Sequence, residues 1–485
     1  MGSLMPNGDG GSHMFTGRSL LATGLVCVLA GLSSTRTAQG QSLEDALVQA
    51  YANNPTLQAQ RAQLRQIDEL VPQAKSFYRP TLEVQGLGGV EWEHQRSDNQ
   101  IPNPNAPPPL LSHFTSEKNN QPAQGALSLS QPLYRGGRTV AQVKEANNFV
   151  EAGRAQLAVV EEQILLQAVT AYVNVVAAAA VVDLTRNNEQ VIGEQLKATK
   201  ERFDVGEVTK TDVSQAEARL AGAVADRIQA EGTLTAQRAS YRQVIGEMPG
   251  KLIKPPIPTD LPKSSDETIR LSENNPTITA ASFTEKAARD GVDVVFGELL
   301  PSVSIVGQVS IDQDVSGHDI TRKDAQIGAQ VTIPLYQAGS VESRVREQKQ
   351  LVGQRRHELD DARRTAVQDA TTAWEALDTA RAQIESFTSQ VSSNKIALDG
   401  VRQEQEVGLR TVLDVLDAQQ EVLNSEVSLV GAQRDEVIAA YQIEAAVGRL
   451  TATSLGLPGE VYDPHKHYDE VKDKWWGLNA SGQEE

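Results

Sequence analysis

Cysteine is nearly absent: there is one among 485 residues, Cys27. A fold stapled by disulfides is therefore excluded. Aromatic residues make up only 4%, and the 45 Lys and Arg fall well short of the 63 Asp and Glu, giving a formal charge of -18. That deficit argues against nucleic acid as a partner, because surfaces that bind it are basic. Mean hydropathy is -0.36, and no stretch reads as the roughly 20 apolar residues a membrane-spanning helix needs. A multi-pass helical membrane protein is not expected. Motifs of catalysis are missing as well. Gly250-Lys251 is followed by Leu252 without the glycine spacing of a phosphate loop, and Gly86, Gly88 and Gly89 sit in a strand-like run with no helix behind them. There is no nucleophile elbow or zinc-helix signature. His465 and His467 lie in a polar tail beside Asp463 and Asp469, where histidines are more often solvated than bound to metal. No enzyme activity, cofactor or metal is expected.

What is present begins with an export signal. From Met14 the chain gives a short region with Arg18, an apolar stretch from Leu20 to Leu32 and small residues up to Ala38-Gln39-Gly40. This reads as a secretory signal peptide, preceded by a tag-like leader with Gly11-Ser12-His13-Met14, so residues 1–40 are set aside and the mature chain starts near Gln41. Val26 before Cys27 is not the small residue that a lipidation site requires.

The remainder is written twice. Asn53-Asn54-Pro55 returns as Asn274-Asn275-Pro276, and Pro80 before an alternating run returns as Pro301, both at an offset of 221. Farther along the offset becomes 202: Pro132-Leu133-Tyr134 returns as Pro334-Leu335-Tyr336, Val205-Gly206 as Val407-Gly408, Asp212 as Asp414 and Gly246 as Gly448. The difference of 19 is expected as a longer loop between the two strand-like runs of the first half. The division is then a first repeat over 41–248, a Pro-rich linker over 249–263, a second repeat over 264–452 and a tail over 453–485.

Each half opens with a helical stretch, Leu43–Ser76 or Asp266–Phe296, behind a capping-box pattern at Ser42/Asp45 or Ser264/Glu267. Two alternating runs follow in each half, Leu82, Val84, Val90 and Trp92 with a return through Leu127, Leu129 and Leu133, then Val303 to Ile311 with a return through Ile327 and Val331. Period two over about ten residues is what a strand crossing an outer membrane shows; a half-buried soluble sheet has the same alternation. Long helical seams come next. Val345, Val352, Leu359, Ala366, Ala370, Ala373, Leu377 and Ala380 belong to a 3,4 spacing with one 4,4 step, and Val143, Val150, Leu157, Ile164, Ala168, Ala171 and Val175 show it earlier at the same offset of 202. Such spacing specifies a left-handed coiled coil relaxed at the irregular step. A helix over Thr139–Phe203 spans roughly 97 Å, about three times the hydrocarbon thickness of a membrane. The shorter helices, such as Thr211–Ile245, cover half that distance and pair end to end. Four strands in a membrane leave two open edges, which only closure with further copies can hide.

In these features the chain resembles the TolC family of outer-membrane export channels. The resemblance rests on the duplicated halves, the helix, strand, strand, helix, helix order, the two Pro-Leu-Tyr triplets, and the specific stretch Val407-Gly408-Leu409-Arg410-Thr411-Val412-Leu413-Asp414-Val415-Leu416-Asp417. It implies an α+β membrane protein: a homotrimer with a twelve-stranded barrel, four strands per chain, continued by an α-helical coiled-coil barrel in the periplasm. It implies a passive duct for type I protein secretion or small-molecule efflux, engaged by a periplasmic adaptor protein and an inner-membrane ABC or proton-driven transporter. By the same resemblance Val205, Gly206 and Glu207, and Val407, Gly408 and Leu409, are the adaptor-docking tips, and Asp414 and Asp417 form an acidic ring at the periplasmic entrance. Asp212, Thr211 and Arg410 form its latch. Gln405 stands where well-known members carry a tyrosine three residues before the tip glycine, so the wiring of that latch differs. For the tip glycines, ending a helix suffices as an explanation, and acids near a helix start suit its dipole. The contrasting reading is a trimeric coiled-coil scaffold or adhesin, which calls for one uninterrupted stalk where this chain folds back four times.

Overall fold

Capping chemistry decides where the helices begin and how they join. The computed structural model describes residues 41–101, 110–315 and 319–479; the expected signal peptide and leader lie outside them. The first half runs α1 (Leu43–Asn53), α2 (Pro55–Asp68), α3 (Leu70–Ser76), β1 (Thr81–Gly88), β2 (Glu91–Ile101), β3 (Leu110–Asn120), β4 (Ala123–Arg135), α4 (Arg138–Asp204) and α5 (Lys210–Ile245). The second runs α6 (Ser265–Ser272), α7 (Pro276–Phe296), β5 (Ser302–Gln313), β6 (Thr321–Thr332), α8 (Ser340–Glu406) and α9 (Val412–Ala446). A short α10 (Lys466–Val471) lies in the tail.

The Asn-Pro motifs explain why the expected stretches Leu43–Ser76 and Asp266–Phe296 are each divided. Asn54 accepts from the N–H groups of Thr56 and Leu57, so it caps α2, and Pro55 occupies the first turn where no donor is needed. Its amide meanwhile donates to the Val244 carbonyl at the end of α5. Asn275 repeats this at the start of α7, accepting from Thr277 and donating to the carbonyl of Ala446 at 3.2 Å. One side chain thus satisfies the free donors of one helix start and a free acceptor of another helix end. Two half-length helices are joined into one strand of the wall.

α4 and α8 each contain 67 residues, roughly 100 Å of helix, and their bounds differ by 202 at both ends. The residues buried on α8, among them Leu359, Ala366, Ala370, Ala373, Leu377 and Ala380, fall on the expected seam. α4 is buried on that seam and on a second face through Leu165, Val169 and Tyr172. Contrary to the expectation drawn from hydropathy, an 18-residue window of α4 does pass for a membrane span by length and composition. Part of that apolarity serves the protein interior: 44% of the window is buried, where α4 packs among α1, α5 and α9 around Tyr172, Tyr241 and Tyr441. The Tyr172 hydroxyl sits 2.7 Å from the carbonyls of Gln41 and Ile253, fixing the proline-rich linker against the first described residue.

The main sheet has the order β1-β4-β5-β6, antiparallel throughout. Leu82 lies opposite Leu129, which lies opposite Gly307, which lies opposite Ile327; the next row is Glu83, Ser128, Gln308 and Gln326. Paired residues share a face and neighbouring rows alternate, so the register sorts one face as apolar and the other as polar. Among the described residues nothing covers the apolar face, where Leu82, Val84 and Ile327 are 68%, 78% and 78% exposed. β2 and β3 form a separate two-stranded sheet. The loop expected between the runs is therefore a hairpin, and the run through Trp92 is broken at Gly89-Val90, where β1 gives way to β2.

Of the two tail histidines expected to be solvated, His465 is exposed, but His467 is buried, with Nδ1 3.1 Å from Asp68 Oδ2. Burial pushes the Asp68 carboxyl up, against the opposing pull of His467. Among the described residues no group of three or more side chains is placed to hold a metal ion.

Candidate functional site

At the ends of the long helices, far from the sheet, backbone geometry comes first. α4 ends at Asp204, and Gly206 adopts φ +84°, so that its N–H donates to Phe203 O and that of Glu207 to Arg202 O, each at 2.9 Å. α8 ends in the same way: Gly408 at φ +80° donates to Gln405 O and Leu409 to Glu404 O at 2.8 Å. These paired bonds satisfy the last carbonyls of each helix and require a residue that tolerates positive φ. Three residues later the chain starts a new helix. Thr209 accepts from the Asp212 N–H while the Asp212 carboxylate accepts from Thr209 N–H at 2.8 Å, and Thr411 with Asp414 repeats the exchange at 2.9 Å. Asp212 and Asp414 are therefore capping carboxylates. Thr209 and Thr411, absent from the expected site residues, carry a legible signal, a Thr-x-x-Asp three residues after a glycine.

The apolar residues beneath bring the two turns together. Val412 and Leu416 of α9 pack with Ile192 and Leu196 of α4 and Ala216 of α5. Above this floor an ion pair joins Arg219 on α5 to Asp417 on α9. Arg410 does not reach Asp212 within the chain; it donates to Glu404 Oε2 at 2.9 Å, while Asp212 is held by its own cap. The resemblance placed Arg410 on Asp212, but the tight turn returns the Arg410 guanidinium over the end of its own α8. Glu404, above all, and Asp414 push the Arg410 guanidinium up, and the hydrogen bonds from Thr411, with Arg410 nearby, hold the Asp414 carboxyl below the usual range. Gln405 is half-buried and engages the turn through its carbonyl; Thr211, in the first turn of α5, is exposed.

Charge and apolarity are segregated around these turns. Residues 200–219 and 402–417 carry nine carboxylates against six cations, a net of three negative charges per chain. Val205, Val407 and Leu409 project from the turns at 72%, 70% and 76% exposure. Nothing in this arrangement pairs a nucleophile with a base. It offers a negatively charged rim and apolar tips.

Residues 46–247 and 270–449 match the family described as "Outer membrane efflux protein". The chain belongs to that family. The outer membrane efflux protein BepC of Brucella suis is 34% identical over 447 residues, 92% of this chain and 93% of its own length. The outer membrane protein TolC of Vibrio cholerae is 26% identical, covering 90% of this chain and 96% of its own length. Among solved structures, the Campylobacter jejuni CmeC outer membrane channel superposes with a TM-score of 0.71 at 19% identity, covering 89% of each chain. Membership in the family places this protein in the outer membrane as an export channel with its helices extending into the periplasm. The two matched segments skip residues 248–269, which contain the whole of the proline-rich linker.

Proposed function

We propose that this chain is the passive exit duct of a three-part exporter, working as a homotrimer whose copies share one twelve-stranded barrel and one helical tunnel. The observation that carries the proposal is the sheet: one face apolar, one polar, and two open edges at β1 and β6. An open edge is not tolerated in hydrocarbon, and a sector of four strands closes only with further sectors. The equal lengths of α4 and α8 support two structural repeats per chain, with boundaries at the linker.

The tips supply the proposed partners. Val205, Gly206 and Glu207 and their counterparts Val407, Gly408 and Leu409 are apolar or turn residues left uncovered, and they suit docking by a periplasmic adaptor that brings an inner-membrane pump. Asp414 and Asp417 repeated in three chains would set six carboxylates around the entrance, attracting cations and repelling anions. The latch of Asp212, Thr211, Gln405 and Arg410 is then a contact between chains, since Arg410 and Asp212 do not meet within one. The efflux in the name of BepC supports efflux as the transport class.

Planar-bilayer recording tests the reading. Reconstituted protein should form cation-preferring pores, and Asp414→Ala combined with Asp417→Ala should abolish the preference. Electrically silent bilayers with both proteins would overturn the duct and favour the scaffold.

A further inference from the structure

The tail from Lys466 onward is fastened at successive heights along the wall. The buried His467–Asp68 pair holds it to α2, the Tyr468 hydroxyl donates to Asn147 on α4 at 2.9 Å, and Lys75 on α3 pairs with Asp473 at 2.7 Å. Arg79, two residues before β1, donates to the Lys474 carbonyl at 2.7 Å and stacks 4.7 Å from the Trp475 ring. Beyond that point the chain turns. Gly477 takes φ +110°, and Lys474 Nζ closes the turn on the Asn479 carbonyl at 2.6 Å. The turn holds Trp475, Trp476 and Leu478 outward at 70%, 90% and 100% exposure.

Two indoles so displayed leave on the order of 300 Å² of largely apolar surface in the open, which a free surface rarely carries without a partner. Their height identifies it. Leu82 is the first side chain on the apolar face of the sheet, and Arg79 precedes it by three residues. That is about 10 Å of chain, or about 7 Å of depth for a strand tilted by about 45°. The headgroup layer beneath a hydrocarbon core is roughly 5–8 Å deep, and tryptophan prefers that layer because its ring is apolar and its N–H polar.

We infer that the Trp475–Leu478 turn is a membrane-interface anchor, seating the tail in the headgroup layer of the periplasmic leaflet at the foot of the barrel. It rests on the lipid-facing barrel proposed above. The anchor clamps the sheet-to-helix junction at α3 to a fixed depth, through the same chain that reaches down to Asp68.

Depth-resolved fluorescence quenching tests it on the full chain. Trp92→Phe with Trp374→Phe leaves Trp475 and Trp476 as the reporters, since the chain contains four tryptophans. In phosphatidylcholine vesicles, bromine placed near the headgroups should quench them about two-fold, and bromine at the chain ends should do much less. Emission quenched instead by aqueous acrylamide, or shielded from both agents as by a neighbouring copy, would overturn the anchor. A second chain, with all four tryptophans replaced by Phe and Val84→Trp added, reports on the barrel itself. Strong quenching there with none at the tail refutes the anchor alone; no quenching at either position refutes the barrel too. Oligomers of the Trp475→Ser, Trp476→Ser variant should withstand heating in detergent as the parent does, and their loss would assign the two rings to a contact between copies.

Discussion

α4 and α8 share a length, a seam and a turn geometry, yet α4 buries more than twice as much of its sequence as α8. Position in the layer accounts for the gap. Near the sheet α4 lies between α2 and α7, and toward the tips between α5 and α9, whereas α8 has α6, α7 and α9 on one flank and, among the described residues, nothing on the other. The strands repeat the lesson: β4 and β5 are paired on both sides, and β1 and β6 on one. A helix written to the plan of α4 but left half-covered offers the surface that a second copy would cover in the proposed trimer.

The sharpest contrast concerns core truncation. Leu165, fully buried on the second face of α4, should cost about 2–5 kcal/mol when changed to Ala. Ile396→Ala on the open flank of α8, where the side chain is 72% exposed, should cost less than about 0.5 kcal/mol in a dispersed monomer and more in the assembled protein. Denaturant melts of both variants in both states measure this, and equal losses in monomer and assembly would break the comparison.

A smaller effect turns on pH. Glu162 is buried on α4 and its carboxyl is pushed up to about 8 by desolvation and by Glu161. A carboxyl that holds its proton more tightly when folded stabilises at low pH and loses that contribution as pH rises from about 4.3 toward about 8. Thermal stability should fall across that window, by on the order of a few kcal/mol in total, and Glu162→Gln should flatten the profile and raise stability at its alkaline end. An unchanged slope would remove Glu162 from the account.

The tips, by contrast, should respond alike. Thr209→Ala and Thr411→Ala each remove one member of the same cap and should each cost about 1 kcal/mol; a large difference between the two melts would show that the matched geometry hides unequal surroundings. Smallest in stability but visible in transport, Arg410→Ser should raise the basal single-channel conductance by loosening the entrance. Unchanged conductance would place the latch elsewhere.

The helical seams are legible because coiled-coil spacing is a local record of one buried face: Leu359, Ala370 and Leu377 lie on the expected stripe and are buried. The second face of α4 is not legible, since it depends on which helices flank it rather than on its own period. The Arg410 partner escapes for a related reason. Glu404, Glu406 and Asp414 all lie within six residues of Arg410 in the sequence, and only the path of the turn selects Glu404. His467 looks like tail chemistry until Asp68, 399 residues away in sequence, comes into contact. The extra length of the first half falls where the two offsets put it, but β2 and β3 pair with each other in a sheet of their own. A length difference does not record pairing.

The flank of α8 can be examined directly. Asn188 on α4 meets Gln419 on α9, Asn394 on α8 donates to the Glu421 carbonyl, and Arg227 on α5 reaches Glu189, so Ile228 and Ile396 stand at one height on the two outer helices. Both are exposed, at 56% and 72%. With Cys27 replaced by Ser, Ile228→Cys and Ile396→Cys in the same chain should be joined by a short bismaleimide into a covalent trimer on a denaturing gel, and neither single variant should be. Crosslinks confined within single chains, or none at all, would contradict the shared tunnel.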